Sequence, residues 1–297
     1  MKPYSFDYVA PSSLEDALRL LDAHGGDAKI IAGGQSLIPI MNLRLAAPSV
    51  LIDIAGIASL RGIERLADGS ISAGAVTPHR HFERSSLIAE SLPIVHAAMP
   101  WVAHAQIRNR GTLGGSLCHA DPAAEWPALC LACEAEMTLV SSRGERVVPA
   151  EDFSLGVYET ATAPDEILTS VRFAAWPSNR RWGFQEVSRR RGDFAIIGIA
   201  CLIDVDAAGV CQWARLVVFG AGERPLLLTR AAQSLVGNIV NGAAIQAASE
   251  TARAEVEPRD DLHASAEYRR ELIEVLTRRA LMQAMSIGAL EQEGKLA

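Results

Sequence analysis

The sequence predicts an α+β protein of two domains, and three observations support this prediction. The chain has 297 residues, which corresponds to about two domains at roughly 100–200 residues each. Helix-like and strand-like segments are mixed up to residue 176, whereas three β-rich runs followed by three helical stretches lie beyond residue 181. The polar segment 176–181 interrupts both patterns and predicts the domain boundary. We therefore expect a first domain over residues 1–176, with subdomains over about 1–57 and 58–176, and a second domain over 177–297.

The first subdomain has the order of a βαβ unit. A helix begins near Ser12, because Ser12 and Glu15 have the spacing of a capping box. Its apolar residues recur at the helical positions i, i+3, i+4 and i+7, namely Leu14, Ala17, Leu18 and Leu21. The segments that follow are, in order, a strand over 29–32, a glycine turn over 33–36, a helix over 39–45 and a strand over 50–54.

The second subdomain mixes both element types. Its predicted strands cover residues 71–76, 136–140, 146–149 and 166–173, and the second and third of these form a hairpin. Its predicted helices begin at Thr77-Pro78 and cover 91–98, 103–109 and 123–132, with a second glycine turn over 112–116.

The C-terminal part is predicted to be an antiparallel sheet covered by helices. Its strands are expected over residues 184–189, 195–204 and 212–219. Its helices are expected over residues 226–236, 243–253 and 265–285.

Composition excludes several classes of protein. Hydrophobic residues make up 49% and charged residues 21%, as in ordinary folded proteins, and the net charge is −7. An acidic chain with only 5% aromatic residues does not suit nucleic-acid binding. The longest apolar run, residues 195–203, is too short for a membrane helix, which needs about 20 residues. We expect a soluble, cytoplasmic protein that binds neither nucleic acid nor membrane.

The five cysteines are expected to be free thiols, and they offer no metal site. Cys130 and Cys133 form a single C-x-x-C inside a predicted helix, which favours buried small residues over a metal centre. No set of four cysteines suits an iron–sulfur cluster. His79 and His81 diverge at a spacing of two on a helix, so a shared metal is not expected either.

Two glycine pairs point to the binding of an anion. Gly33-Gly34 and Gly114-Gly115 let the backbone approach a ligand and permit positive φ, so that successive N–H groups converge on an anion. Ser36, Thr112 and Ser116 would add hydroxyl donors to phosphate oxygens, and two such turns would hold a pyrophosphate. The same spacing is also that of two ordinary tight turns. Neither turn matches the dinucleotide motif G-x-G-x-x-G or the P-loop.

Longer motifs identify a resemblance to a known family. They are Ala-Gly-Gly-Gln-Ser-Leu-Ile-Pro at 32–39, Asn-Leu-Arg-Leu at 42–45, Leu-Ile-Asp-Ile at 51–54, Ile-Arg-Asn-Arg-Gly-Thr-Leu-Gly-Gly-Ser at 107–116, His-Ala-Asp-Pro-Ala-Ala-Glu at 119–125, Arg-Arg-Gly-Asp-Phe-Ala at 190–195 and Ser-Ala-Glu-Tyr-Arg-Arg at 265–270. From about residue 3 to residue 285 the chain resembles the FAD-binding medium subunit of molybdenum hydroxylases. It looks closest to the branch with three separate subunits, CO dehydrogenase and the bacterial N-heterocycle hydroxylases, and xanthine dehydrogenase is a more distant relative.

The resemblance implies a fold and a function. The fold would be a two-subdomain FAD-binding domain of the vanillyl-alcohol-oxidase-like type followed by a C-terminal α+β domain. Electrons would arise at a molybdopterin cofactor on a large partner subunit and pass through 2Fe–2S clusters of a small partner subunit to non-covalently bound FAD in this chain. From FAD they would reach an external acceptor, and the complex would be a dimer of heterotrimers. No side chain of this chain would be catalytic, and none would bind a metal.

The resemblance also implies residue roles. The two turns would bind the pyrophosphate, Glu125 would contact the cofactor, Leu168 would touch the flavin ring, and Phe194 would stack on it or gate it. Gln185 stands near the place where xanthine-type relatives carry a lysine. The cofactor-binding residues implied in this way are Ile30, Ile31, Ala32, Gly33, Gly34, Gln35, Ser36, Leu37, Val102, Ile107, Thr112, Gly114, Gly115, Ser116, His119, Asp121, Glu125, Leu168, Gln185, Asp193 and Phe194.

Two other functions compete with electron transfer within a complex. A stand-alone FAD oxidase would need a substrate pocket and a catalytic base, and the sequence shows no pair of acids or histidine cluster for one. A non-enzymatic nucleotide-binding or assembly module would need only the turns. The basic run Arg189-Arg190-Arg191 is either a solvated loop or a docking segment near the flavin.

Overall fold

The computed structural model describes the backbone of residues 1–294 and the side chains of residues 1–286, and the chain folds into two units. The first unit consists of Met1–Arg84, Ala105–Ala120 and Glu134–Ala174. The second unit consists of Ser85–His104, Asp121–Cys133 and the chain from Ala175 onward. The last residues of the predicted second domain, 295–297, lie outside the described part.

Helices and strands occur in groups along the described chain. The helices are α1 (Leu14–His24), α2 (Leu37–Asn42), α3 (His79–Arg84), α4 (Ser86–Ser91), α5 (Pro93–Ala98), α6 (Ala105–Arg108), α7 (Leu113–His119), α8 (Glu125–Ala132), α9 (Ala150–Phe153), α10 (Thr229–Leu235), α11 (Gly242–Glu255) and α12 (Ala266–Gly294). The strands are β1 (Asp7–Val9), β2 (Ala28–Ile31), β3 (Val50–Asp53), β4 (Ile63–Arg65), β5 (Ile71–Gly74), β6 (Glu136–Ser141), β7 (Gly144–Pro149), β8 (Ser154–Gly156), β9 (Glu159–Thr160), β10 (Ile167–Phe173), β11 (Arg180–Ser188), β12 (Ala195–Val205), β13 (Cys211–Phe219) and β14 (Leu226–Leu227). Helices α3–α8 follow one another in the first half of the described chain, and strands β10–β14 follow one another in its second half.

The first unit contains a parallel and an antiparallel sheet. The parallel sheet has the order β1-β3-β2, so the glycine turn and α2 form the crossover between neighbouring strands. Its central strand is apolar, and Ile52 is completely buried against Leu21 of α1. The second sheet has the order β4-β5-β10-β6-β7. In β6 buried and half-buried residues alternate, with Met137 and Leu139 facing the core, as expected for a strand with one buried face.

The second unit is built on a four-stranded antiparallel sheet in the order β11-β12-β13-β14. One face packs on α10, α11 and α12, where Ile199 and Cys201 of β12 meet Leu276 and Ala280 of α12. Helices α5 and α8 also pack against the strands of this sheet. Residues 195–203 of β12 are buried without a break, which explains why this strand is one continuous apolar run.

The predicted fold class is confirmed, since a mixed α/β region precedes an antiparallel sheet covered by helices. The predicted cap of α1 was wrong by one residue, because Ser13 rather than Ser12 accepts the N–H of Asp16. The helix expected over 91–98 is two helices, α4 and α5, and α5 starts at Pro93. Residues 226–227, expected to begin a helix, instead form β14, and residues 180–181, expected to lie in a linker, begin β11.

Candidate functional site

The first glycine turn joins β2 to α2 and presents a row of unbonded backbone N–H groups. Gly34 has a φ of +69°, a left-handed conformation that glycine adopts without strain. Gln35 folds back over the turn, and its Nε2 donates to the carbonyl oxygen of Gly33 at 2.9 Å. The N–H groups of residues 33–37 have no acceptor among the described residues. A row of free N–H groups at a helix start is suited to holding an anion.

The second glycine turn differs from the first, because its N–H groups are already bonded within the protein. Thr112 caps α7: its Oγ1 accepts the N–H of Gly115 at 3.1 Å, and its carbonyl accepts the N–H of Ser116 at 3.0 Å. The other two N–H groups bind the backbone of a neighbouring segment, Leu113 to Thr77 O at 3.1 Å and Gly114 to Ala75 O at 2.8 Å. The Ser116 hydroxyl has no partner in the part of the chain that is described. This turn can therefore contribute hydroxyl groups to a ligand, but not the N–H groups that the sequence suggested.

The two turns lie against each other within the first unit. A Cβ at Gly33 would overlap the carbonyl group of Arg110 and would lie 2.8 Å from the Cα of Gly111. A Cβ at Gly115 would lie 4.0 Å from the Cβ of Ala32. The structure thus brings together two turns that are about 80 residues apart in the sequence. Glycine is required at Gly33 because the backbones of the two turns approach so closely there.

His79 and a buried ion pair support the second turn. The backbone N–H of His79 donates to the carbonyl of Gly111 at 2.9 Å, and a Cβ at Gly111 would lie 2.9 Å from His79 Nε2. Burial, together with the nearby Arg108 guanidinium, lowers the pKa of His79 to about 3, so the imidazole is neutral at pH 7. Arg108 is itself buried and pairs with Glu83, with 2.9 Å between Nη2 and Oε1.

The remaining predicted residues of the first unit lie on the elements next to the turns or further along the chain. Ile30 and Ile31 end β2, and Leu37 begins α2. Ile107 lies in α6, and its carbonyl accepts the N–H of Gly111 at 2.7 Å. His119 lies at the end of α7, and its ring stacks on that of Tyr158 with the ring centroids 4.9 Å apart. Leu168 is buried in β10, against which α7 packs.

The second unit holds the other predicted residues. Asp121 and Glu125 are both buried at the start of α8, where Asp121 Oδ1 accepts the N–H of Ala123 at 2.9 Å. Val102 is buried after α5. Gln185 lies in β11, and its Nε2 donates to Oε1 of Gln283 in α12 at 2.8 Å. Asp193 and Phe194 lie in the loop between β11 and β12.

The loop between β11 and β12 packs closely against a neighbouring segment at Gly192, whereas its Phe194 is exposed. Gly192 has a φ of +92°, and a Cβ there would lie 2.9 Å from the backbone of Ala103. The guanidinium of Arg191 lies over the ring of Trp101, 5.6 Å from its centroid. Phe194 is 56% exposed, so its ring is available to a ligand. An exposed aromatic ring beside a fastened backbone is a reasonable stacking group for a planar cofactor.

Arg269 of α12 holds the backbone beside these residues. It is 5% exposed, it donates from Nη1 to the carbonyls of Ile196 (2.8 Å) and Gly220, and its Nη2 lies 2.6 Å from Asp261 Oδ2. The N–H of Gly220 donates in turn to Pro122 O at 3.0 Å. One buried cation thus ties the start of β12, which follows Phe194, to the segment that contains Asp121.

Sequence reasoning missed three structural supports of the site. Arg269 was noticed only as part of a motif, and His79 only as part of an H-x-H. Glu186, a buried acid in β11, was not singled out. A signal was present for Glu186, since it lies two positions after Phe184 and so shares a face with it in the predicted strand, but the sequence alone does not show which face of the strand is covered.

Neither a membrane helix nor a metal cluster is found in the described structure. Over the residues it describes, no helix has both the length and the apolar character needed to cross a membrane. Within the same residues, no three His, Cys, Asp or Glu side chains group so as to hold a metal ion. Cys130 and Cys133 are buried thiols at the end of α8.

Comparison with known proteins agrees with this geometry. Residues 4–176 match a family model described as "FAD binding domain in molybdopterin dehydrogenase", and residues 182–284 match one described as "CO dehydrogenase flavoprotein C-terminal domain". Subunit alpha of the 6-hydroxypseudooxynicotine dehydrogenase complex of Paenarthrobacter nicotinovorans is 42% identical over 285 residues, covering 96% of either chain.

Solved structures match along the same length. CO dehydrogenase from Hydrogenophaga pseudoflava superposes with a TM-score of 0.93 at 36% identity, covering 96% of this chain and 99% of that one. Quinoline 2-oxidoreductase from Pseudomonas putida 86 superposes with a TM-score of 0.91 at 38% identity, covering 96% and 98%. These relatives are dehydrogenases and oxidoreductases by name.

Fold and turns together define a flavoprotein whose cofactor is FAD. More particularly, the chain belongs to the family of FAD-binding subunits of molybdopterin dehydrogenases, because both of that family's domain models match it in order along nearly its whole length.

Proposed function

We propose that this chain is the FAD-carrying electron-transfer subunit of a molybdenum hydroxylase complex. Electrons released at a molybdopterin cofactor on a large partner subunit pass through 2Fe–2S clusters of a small partner subunit to FAD in this chain, and then to an external acceptor. The family match and the relatives named as subunits of dehydrogenase complexes support this proposal.

The observation that carries the proposal is the contact between the two glycine turns. The free N–H groups of residues 33–37 would bind the pyrophosphate of FAD, and the hydroxyls of Ser116 and Thr112 would reach it from the second turn. Backbone N–H groups make this contact without a basic side chain, so the net charge of −7 does not oppose it. FAD supplies the chemistry when bound, since its ring accepts and releases electrons one or two at a time.

Other side chains would orient the cofactor. Phe194 would stack on the ring or gate it, Leu168 would touch it, and Glu125 would contact the cofactor from the start of α8. The full set of residues that we propose to bind FAD is Ile30, Ile31, Ala32, Gly33, Gly34, Gln35, Ser36, Leu37, Val102, Ile107, Thr112, Gly114, Gly115, Ser116, His119, Asp121, Glu125, Leu168, Gln185, Asp193 and Phe194. None of them is proposed to act as a catalytic acid or base.

The remaining features of the proposal concern organisation. We propose an FAD-binding domain over residues 1–176, with subdomains over 1–57 and 58–176, and a flavoprotein domain over 177–297. The complex would be a dimer of heterotrimers. We propose a cytoplasmic location for the complex.

The first experiment is an absorption spectrum of the purified complex with identification of the co-purifying subunits. We expect about one flavin per copy of this chain, released on denaturation, together with a large molybdenum-containing and a small iron–sulfur subunit. Bleaching of the flavin band when the substrate of the large subunit is added would support electron transfer. Absence of flavin, even after reconstitution with FAD and the partner subunits, would overturn the proposal. Oxidation of a small substrate by this chain alone would point instead to a stand-alone oxidase.

A further inference from the structure

The second unit contains two buried carboxyl groups, Glu125 and Glu186, and the charge of Glu125 acts on Glu186. Glu186 of β11 is 6% exposed, and Glu125, the first residue of α8, is 4% exposed. Most buried acids are paired with a cation or bound by several donors. Neither of these two forms an ion pair in the described structure, and the electrostatic influence of Glu125 on Glu186 is unfavourable to charge.

The position of Glu186 follows from the alternation of side chains along β11. Gln185 is bonded to Gln283 of α12, and a Cβ at Gly183 would overlap the backbone of Ala280 in the same helix. Successive side chains of a strand point to opposite faces. Glu186 therefore faces away from α12, on the same side as Phe184, whose ring stacks on Phe219 at 6.0 Å.

The surroundings of Glu186 favour the protonated form of its carboxyl group. Neither carboxyl oxygen has measurable exposure, and neither has a hydrogen-bond partner among the described residues. An isolated buried carboxylate is far costlier than a buried neutral acid, so the group keeps its proton instead. In agreement, burial, with Glu125 nearby, raises the pKa of Glu186 to about 9.

Glu125 is the member of the pair that exchanges its proton near neutrality. Burial raises its pKa to about 7, and Asp121 adds to the rise, whereas its own backbone N–H partly offsets it. A site at the first residue of a helix explains this intermediate behaviour, because the helix N-terminus favours the charged form.

The surrounding elements do not neutralise the pair. The acid that acts on Glu125 is Asp121, and the side chain opposite Glu186 across β12 is absent because that position is Gly198. The ionisable residue of α5, which packs against β11, is His96. On β13, which packs against α8, the guanidinium of Arg215 donates from Nε to the carbonyl of Leu131 at 2.9 Å, at the opposite end of α8 from Glu125.

We propose that Glu125 and Glu186 form a proton-binding carboxyl pair, in which Glu186 holds its proton at neutral pH and Glu125 takes one up when FAD binds. This inference rests on the proposed function, because Glu125 is there a cofactor contact. A cofactor that contacts Glu125 would remove water from its carboxylate, and loss of water disfavours the charged form. The step is one proton transferred from solvent to a Glu125 carboxylate oxygen, with no change in oxidation state.

The first test is infrared spectroscopy of the full chain without FAD at about pH 8, where Glu125 has mostly lost its proton and Glu186 has mostly kept it. We expect a carbonyl-stretch band of a protonated carboxylic acid that shifts on labelling with ¹³C-glutamate and disappears in Glu186→Gln. The matched control is Glu166→Gln, because Glu166 is also buried but pairs with Arg146 at 2.6 Å and stays ionised. Its substitution should leave the band unchanged. Absence of the band from the unsubstituted chain, or its persistence in Glu186→Gln, would overturn the inference without touching the proposed function.

The second test is calorimetric titration of the full chain with FAD in buffers of different ionisation enthalpy. We expect uptake of up to one proton per FAD, largest above pH 7 because Glu125 is then mostly ionised in the free chain. Glu125→Gln should take up no proton per FAD bound, even where its affinity for FAD is lower, whereas Glu186→Gln should keep the proton uptake. FAD binding without proton uptake would overturn the role of Glu125 alone. Failure of FAD to bind would contradict the proposed function, and the infrared result would still decide whether Glu186 is protonated.

Discussion

Gly33 lies so close to the carbonyl of Arg110 that no side chain fits between the two glycine turns. This contact explains a glycine that the sequence suggested for a different reason. Gly33 is needed for the approach of two protein backbones, and Gly34, with its positive φ, for the turn itself. The surface that we propose to bind the pyrophosphate is then the outer side of the first turn, where the N–H groups of residues 33–37 have no acceptor among the described residues.

Gly33→Ala should therefore separate the turns. We expect the free energy of unfolding to fall by about 1–3 kcal/mol, as for other overpacked positions, and FAD affinity to fall by at least about tenfold, which corresponds to roughly 1.4 kcal/mol. The measurements are denaturant unfolding without FAD and fluorescence titration with FAD. Gly26→Ala is the control, because a Cβ there meets nothing within 4 Å and should leave both quantities nearly unchanged. Equal effects of the two substitutions would contradict the contact.

The Thr112 side chain makes a separate prediction for the second turn. Thr112→Ala removes the hydroxyl that accepts the N–H of Gly115, and loss of such a cap costs about 1 kcal/mol. If the hydroxyl also reaches FAD, affinity should fall further than stability explains. Thr112→Ser keeps the oxygen and should restore most of both quantities. An alanine variant that binds FAD as tightly as the unsubstituted chain would remove Thr112 from the proposed site.

Much of the fold around the two glycine turns could be predicted from local sequence, and the elements that could not be predicted have physical causes. The glycine turn before α2 and the three long strands of the second unit were located because buried strands and glycine pairs are local signals. Helix α7 was missed because Gly114 and Gly115 have low helix propensity. The Thr112 cap and the packing of Gly114 on Ala75 compensate for this low propensity. The packing of Gly114 on Ala75 is a tertiary contact, so a local sequence pattern does not reveal it.

Long-range polar contacts were beyond local reasoning. Arg269 and Ile196 are 73 residues apart in the chain, and only the fold reveals that one donates to the other. Glu186 is similar, since its lack of a partner depends on which elements cover that face of β11. The sequence therefore locates the turns that would contact FAD better than the residues that hold the rest of the site.

Arg269→Ala should loosen the backbone around Asp121 and Phe194. It leaves the carbonyls of Ile196 and Gly220 without their donor, and an unsatisfied buried acceptor costs about 1–3 kcal/mol. The Asp261 carboxylate also loses its partner, but it is half-exposed and adds little to this loss. Arg269→Lys keeps the positive charge but has fewer N–H donors, so we expect an intermediate loss in the free energy of unfolding. The check is chemical denaturation. The control is Arg259→Ala, whose exposed pair with Glu223 should contribute well under about 1 kcal/mol. Equal losses in both alanine variants would show that Arg269 does not hold this backbone.

Glu186→Gln should change the pH dependence of stability in a predictable direction. The pKa of Glu186 is about 9 in the folded chain, whereas the ordinary pKa of a glutamate side chain, as in the unfolded chain, is 4.5. Between these values the unfolded chain has released a proton that the folded chain retains, so this group lowers the free energy of unfolding as pH rises, by at most about 1.4 kcal/mol per pH unit. Glutamine has no proton to lose, and its amide fills nearly the same volume.

Relative to the unsubstituted chain, Glu186→Gln should therefore gain about 1–3 kcal/mol of stability between about pH 6 and pH 8. Denaturant unfolding at several pH values measures this difference directly. Glu166→Gln serves as the contrast, because Arg146 lowers the pKa of Glu166, and stability from that pair is lost only when pH falls into the acid range. The difference in the free energy of unfolding between Glu166→Gln and the unsubstituted chain should be constant over the same pH interval. If Glu186→Gln also gives a constant difference, Glu186 is ionised in the folded protein, and the surrounding fold must then supply a donor to it.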